Sequence, residues 1–259
     1  MATTYYVDGN LATGSNNGTD WSNAWKTLGA MTGLSAGDTV YISGGTNGNT
    51  CTYTLTGEFN SLSGFASGTS GNIITYQIGQ DSAHNGTAIF HQTGSVGQVL
   101  FGGKYYTISG DAGDGLRLFK LDNYYELVTW NTVTNTRASY IDMGTGGGFG
   151  SINPGTNIEF DHNYLYSTDM SLDHGMVANI NQGSAYDQSL IHDNVMFIPY
   201  TTGGIGADGF QIFGTGGWSL YNNTVTGFSG GGINHQDGWQ GSGGSYIKIY
   251  NNRFTDMQN

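Results

Sequence analysis

Leu190-Ile191-His192-Asp193-Asn194-Val195-Met196-Phe197 is an apolar strand, a polar pair ending in Asn, and a second short apolar strand. The phrase returns as Ile158-Glu159-Phe160-Asp161-His162-Asn163 before Tyr164-Leu165, and as Leu220-Tyr221-Asn222-Asn223 before Thr224-Val225. It returns again as Ile249-Tyr250-Asn251-Asn252 before Arg253-Phe254, and an earlier copy reads Leu127-Val128-Thr129-Trp130-Asn131 with Val133 behind it. With Asn at 131, 163, 194, 223 and 252, the steps are 32, 31, 29 and 29 residues. A near-constant period of this size marks a solenoid, in which each repeat buries its apolar side only by stacking on its neighbours. Asn accepts left-handed backbone geometry and bonds to its own turn, as a sharp corner between two short strands requires. One coil per repeat stacks these Asn residues about 4.8 Å apart, the spacing of paired strands, with their amides bonded along the column. A propeller would need four strands per blade within about 40–45 residues, and the Leu pattern of a leucine-rich array is absent.

Composition agrees with many short strands. Gly supplies 45 of 259 residues and Pro only 2, and 10% of residues are charged. Abundant Gly, Asn, Thr and Ser with few Lys and Glu disfavour long helices and favour strands joined by turns. The 17 Tyr, 12 Phe and 5 Trp separate the chain from disordered sequences. A net charge of −12 repels phosphate backbones and anionic lipids, which excludes nucleic acid and membrane surfaces as partners. It suits a secreted or cell-surface protein that handles neutral sugars or cations. The single Cys51 excludes an internal disulfide framework and a Cys-based zinc site. No apolar run approaches the roughly 18 residues of a membrane-spanning helix. The start, Met1-Ala2-Thr3-Thr4-Tyr5, has neither a basic nor an apolar leader region, so any signal peptide is expected to have been removed or never to have existed.

Two regions are expected, with residues 1–60 forming an N-terminal cap and first strands and residues 61–259 forming the coils. Apolar residues at 21, 25, 28 and 31 recur with a helical period, and Ser22 or Asn23 is available to cap. This predicts a short amphipathic helix over the open end of the solenoid. Ala36-Gly37-Asp38 then turns into the strand Thr39-Val40-Tyr41-Ile42. At the other end Asn259 follows the last ladder Asn by seven residues with no polar cap. Further coils, another domain or an oligomer contact are expected to cover that end.

The opening resembles that of many secreted bacterial β-helix proteins. The resemblance rests on Tyr6-Val7-Asp8, the loop from Gly14 to Thr19, Ala24-Trp25-Lys26-Thr27-Leu28 and Gly37-Asp38-Thr39-Val40. With the coil pattern, the chain is similar to the pectate-lyase-like superfamily of secreted carbohydrate-active proteins. That resemblance implies an all-β, right-handed parallel β-helix, here with 29–32 residues per coil and an N-terminal capping helix. It also implies a bacterial type of secretion or surface display and a polysaccharide or oligosaccharide as partner.

Registering the coils on their ladder Asn locates a candidate site. Asp208 precedes Asn223 by 15 residues and Asp237 precedes Asn252 by 15. They sit in matching phrases, Ala207-Asp208-Gly209-Phe210-Gln211 and Gln236-Asp237-Gly238-Trp239-Gln240. Equal offsets on consecutive coils place both carboxylates on one face. Asp173-His174-Gly175-Met176 occupies the matching part of the previous coil, allowing for an insertion from Ser184 to Gln188, and His235 lies two residues before Asp237. The candidate catalytic strip is therefore Asp173, His174, Asp208, His235 and Asp237. Stacked carboxylates repel, which raises one pKa and supplies an acid/base pair. Glycoside cleavage uses such a pair, with separations of about 5–5.5 Å for retention and about 6.5–9.5 Å for inversion. Gln211 and Gln240 are candidate ligands for sugar hydroxyls, and Trp239 a stacking platform for a pyranose ring. The bland alternatives are an Asp-Gly turn, a second amide ladder and a core Trp.

The phrase is also similar to the polygalacturonase-type hydrolases, which carry Asn-Thr-Asp-Gly, then Asp-Asp, Gly-His-Gly and Arg-x-Lys. Asp208-Gly209-Phe210 matches the first element and Asp237 the first Asp of the second. Gly238 replaces the second Asp, and the last two elements are absent. Three functions follow as expectations: a glycoside hydrolase, a polysaccharide lyase or epimerase, and a non-catalytic sugar-binding adhesin or structural β-helix. The lyase needs a His, Tyr or Arg base. No Lys or Arg lies between Arg137 and Lys248, so His174 and His235, or Arg117, Lys120 and Arg137 reaching in from earlier coils, are its candidates. The strip requires no cofactor, and Ca²⁺ is the ion its oxygen atoms would suit. His162 and His192 read as corner residues, and His84 and His91 carry no assignment.

Overall fold

The computed structural model describes residues 2–56, 65–93, 98–100, 103–122, 126–128, 134–143, 148–149, 156–166, 177–178, 188–197, 209–213, 217–227, 238–242 and 246–255. Their strands form three sheets of nine, eight and six strands. A later coil runs Gln188–His192 in the first sheet, Val195–Phe197 in the second and Phe210–Phe213 in the third. Gly217–Tyr221 then returns to the first sheet. Each strand pairs in parallel with its counterpart one coil on, Leu190 with Ser219, Val195 with Thr224 and Phe210 with Trp239. The chain is a parallel β-helix, as the repeat requires.

Alternation within each strand builds the core, because successive side chains point to opposite faces. Ile158, Phe160, Ile191, Trp218 and Leu220 are buried from the first sheet, and Leu165, Met196 and Val225 from the second. Stacking in register sets like beside like, and each such side chain contributes about 1.5–3 kcal/mol by leaving water.

The corners between the first two sheets are left-handed, with φ of 55° at Tyr140, 56° at His162, 55° at Asp193, 56° at Asn222 and 54° at Asn251. The residues that follow the last four are the ladder. Asn163 donates its N–H to Asn194 Oδ1 at 2.9 Å, Asn194 to Asn223 Oδ1 at 3.1 Å, and Asn223 to Asn252 Oδ1 at 3.0 Å. The Nδ2 groups of Asn163, Asn194 and Asn223 donate to the same three oxygens at 3.2, 3.0 and 2.9 Å.

The first rung differs from expectation. Asn131 lies outside the described residues, and Leu127 belongs to the third sheet, paired with Phe149. The residue beneath Asn163 is Ile141, whose N–H donates to Asn163 Oδ1 at 2.9 Å across 22 residues. The lowest rung has to supply only a backbone N–H, so no Asn marks it, and a short coil carries it.

The cap also differs. Two 3₁₀ turns, Trp21–Asn23 and Leu28–Ala30, stand where a helix was predicted, and Asp20 rather than Ser22 or Asn23 caps the first. Trp25 between them lies extended beside Val7. Its carbonyl accepts from Asp8 N–H at 2.8 Å, and its N–H donates to the Tyr6 carbonyl at 2.9 Å. An extended Trp25 thus pairs with the open edge of the Thr4–Val7 strand, which a helix cannot do. Trp25, Leu28 and Met31 are still buried over the core, so the periodicity located the right residues in another conformation. Gly18 permits this. A Cβ there would lie 2.7 Å from the Trp25 indole, and its φ is 75°. Trp21 fastens the cap further on, stacking on His84 at 3.7 Å and donating to Asp81 Oδ2 at 3.0 Å.

Tyr53 ties the Thr50–Leu55 strand to the cap. Its buried hydroxyl donates to the Ser43 carbonyl at 2.8 Å and accepts from the Gly9 N–H at 3.3 Å. Tyr53→Phe removes both bonds and should lower the unfolding free energy by about 1–2 kcal/mol, read by urea denaturation. A change within error would mean that water replaces the hydroxyl.

Candidate functional site

Five of the predicted site residues, Asp173, His174, Asp208, His235 and Asp237, lie outside the described residues. The third-sheet strands that follow them are described. Phe210 pairs with Trp239 and Gln211 with Gln240, and Val177 and Ala178 pair with Phe210 and Gln211. Asp208 and Asp237 therefore precede equivalent strand positions by the same two residues, whereas Asp173 precedes its own, Val177, by four. His235 shares that count of four before Trp239. The carboxylates at 208 and 237 keep a common offset, and the one at 173 does not.

The glycines of the two phrases have a packing role. Neither Gly209 nor Gly238 has a left-handed φ, so backbone freedom in an Asp-Gly turn is not what selects them. A Cβ on Gly209 would lie 2.7 Å from the Gly238 carbonyl oxygen and 2.9 Å from Val225 Cγ1, and one on Gly238 would lie 2.3 Å from the Phe254 ring. Trp239 occupies the register position of Phe210, which is 1% exposed and faces the core. Its own exposure of 39% arises in the last described coil, where Ile249 and Phe254 are also exposed. This placement gives Trp239 the packing role rather than that of a sugar platform.

A second constellation is described atom by atom on the outer face of the first sheet. Pairing sets Arg137 beside Glu159 and Ser139 beside Asp161, then Asp161 beside His192 and His192 beside Tyr221. Asp161 points outward yet is 0% exposed, because Arg137 covers it. Arg137 Nε donates to Asp161 Oδ1 at 2.8 Å and Nη2 to Oδ2 at 2.7 Å, and His162 Nδ1 lies 2.7 Å from the same Oδ2. The bond to Asp161 holds the Arg137 guanidinium above its ordinary pKa. Glu159 Oε1 lies 3.5 Å from Arg137 and 3.2 Å from His192 Nε2, and His192 Nδ1 lies 2.7 Å from Asp193 Oδ2. Burial works against a charged His192 ring, but the bonds to Glu159 and Asp193 outweigh it and push its pKa up. The ring stacks on Tyr221 at 4.6 Å, and Tyr221 on Tyr250 at 5.0 Å.

Glu159, Asp161 and His192 each offer one ligand atom within 4.8 Å of the others. They do not fit a metal ion, because both Asp161 oxygens are engaged by Arg137 and a cation would sit against the guanidinium. The arrangement offers instead a proton donor beside a half-exposed carboxylate. Sequence reading missed it. Outward positions 159, 161 and 192 follow from strand alternation, but Arg137 falls into line only once its coil is known to be 22 residues long.

Around the corner, Arg117 Nε donates to the His162 carbonyl, and its charge faces Asp142, Tyr140 and Tyr164. Burial lowers the Arg117 pKa. Lys120 pairs beside Asp142 in the second sheet. The three basic residues considered for a lyase thus stand on or beside the first two sheets, while the strands after Asp208 and Asp237 belong to the third. His192 is a strand residue rather than a corner residue, and His162 is the left-handed corner itself. Compared with protein-family models, with curated proteins and with solved structures, the chain finds no match.

Proposed function

We propose that this chain is a secreted or cell-surface β-helix protein that acts on a polysaccharide, as a glycoside hydrolase with Asp208 and Asp237 as its acid/base pair. The reading rests on the resemblance to the pectate-lyase-like superfamily and on one structural observation. The strands behind the two Asp-Gly phrases pair residue for residue on consecutive coils, Phe210 with Trp239 and Gln211 with Gln240. Packing accounts for the two glycines and leaves the two acids without a structural role of their own. In this mechanism Asp237 protonates the glycosidic oxygen. Asp208, or Asp173 with His174, activates water or stabilises the developing oxocarbenium. Ca²⁺ bound by the strip remains part of the proposal, as a bridge to an acidic sugar.

The test is a panel of plant and algal polysaccharides, scored for new reducing ends and for ultraviolet-absorbing unsaturated ends. Asp208→Asn and Asp237→Asn should each lower the rate by about 10²–10⁴-fold with the fold intact. Activity retained in either variant refutes the assignment. A second reading, a lyase or epimerase, is favoured by Arg117 and Arg137 flanking the His162 corner, where Tyr140 stacks on the imidazole at 4.6 Å. Unsaturated products lost in Arg117→Met but kept in Asp208→Asn would establish it. Tight binding of a polymer without either product would make the chain a sugar-binding protein.

A further inference from the structure

We infer that His192 is held as an imidazolium, protonated on both nitrogens, and acts as a proton-operated clip between neighbouring coils of the first sheet. The inference is independent of what the chain acts on. Each ring nitrogen faces a carboxylate oxygen, Nδ1 that of Asp193 at 2.7 Å and Nε2 that of Glu159 at 3.2 Å. A neutral imidazole has one N–H and one lone pair, so one carboxylate would face a lone pair. The imidazolium donates to both.

The surroundings favour the charged form. From the strand Thr134–Ser139 comes Arg137, whose guanidinium is engaged by Asp161 and lies near Glu159. From Thr156–Asp161 and its corner come Glu159, Asp161 and His162, from the corner of its own coil Asp193, and from Gly217–Tyr221 the Tyr221 ring. Three carboxylates thus meet one guanidinium, and a charged His192 restores the balance. Its side chain is only 10% exposed, packed face to face on Tyr221 and edge to face with His162, so water does little to screen the interaction. Glu159 and Asp193 belong to successive coils, so the proton joins one coil to the next.

The sign follows from linkage. The folded-state pKa of His192 is raised above the unfolded value, so the clip contributes fully below an ordinary His pKa of about 6.5. That contribution is lost as pH rises through the raised folded value. Loss of the proton also frees Glu159 on the exposed face.

The full chain, labelled with ¹⁵N-histidine, should show both His192 ring nitrogens protonated at neutral pH, with the signal assigned by its displacement in Glu159→Gln. The thermal unfolding midpoint should fall between pH 6 and 9 in the wild type, as expected for a group titrating from about 6.5 upward. The fall should be lost in His192→Gln and kept in His162→Gln, which separates the two imidazoles. If His192→Gln does not fold, Asp193→Asn serves in its place and should shift the fall to lower pH. A neutral, single-tautomer ring at pH 7, or an unchanged pH profile in the His192 and Asp193 variants, overturns the proposal.

Discussion

Replacing Arg137 by Met is expected to lower the unfolding free energy by about 3–5 kcal/mol, the cost of leaving a buried carboxylate without its partner. Asp161 is inaccessible to water, and Arg137 supplies the paired bonds to both of its oxygens. In Arg137→Met the carboxylate keeps only His162 Nδ1. Arg137 itself is 40% exposed, so part of its attraction is already screened and the loss belongs at the lower end of the range. The burden falls on Asp161, and the double variant Arg137→Met/Asp161→Leu should recover most of the loss, as apolar replacements of ion pairs do. Urea unfolding of the two single variants and the double variant gives the coupling. A loss below about 1 kcal/mol would place the pair among ordinary surface ion pairs.

The second large effect is expected at the middle of the ladder. Asn194→Ala should cost about 3–5 kcal/mol, from two orphaned groups at about 1–3 kcal/mol each and a small cavity. Asn194 is buried, with Oδ1 accepting from Asn163 N–H and Nδ2 donating to the Phe160 carbonyl at 2.9 Å. Alanine leaves those two backbone groups without that partner. Asn163 Nδ2 keeps the Ala138 carbonyl and Asn223 Oδ1 keeps the Asn194 N–H, so the damage stays within one rung on either side. Asn252→Ala should cost far less, because that rung is half-buried and only Asn223 leans on its oxygen. Guanidinium unfolding of both variants tests the difference, and equal losses would show that the column does not act as a chain of buried bonds.

The fold was legible in the sequence wherever it is written locally. Apolar alternation and an Asn that tolerates a left-handed neighbour mark each corner from Asn163 to Asn252 without reference to distant residues. What was hidden depends on register. Ile141 occupies a rung although nothing in its type announces it, because a backbone N–H suffices there. Arg137 reaches Asp161 only because 22 residues, not about 30, separate Thr134 from Thr156. In the cap the spacing of Trp25, Leu28 and Met31 identified what would be buried, yet an unpaired strand edge outweighed the helical preference. Of the candidate site, the common offset behind Asp208 and Asp237 was readable. The cluster joining Arg137, Glu159, Asp161 and His192 was not, since its members come from three coils of unequal length.

The amide column also has a direction. From Ile141 to Asn252 every rung receives a donor from the coil before it and hands its own donors to the coil after, so the side-chain dipoles all point the same way. Aligned dipoles reinforce one another, and a rung inserted backwards would set oxygen against oxygen. The solenoid is therefore an arrow rather than a rod. Its foot tolerates any residue with a free N–H, whereas each later position must present a carboxamide oxygen to the coil before it.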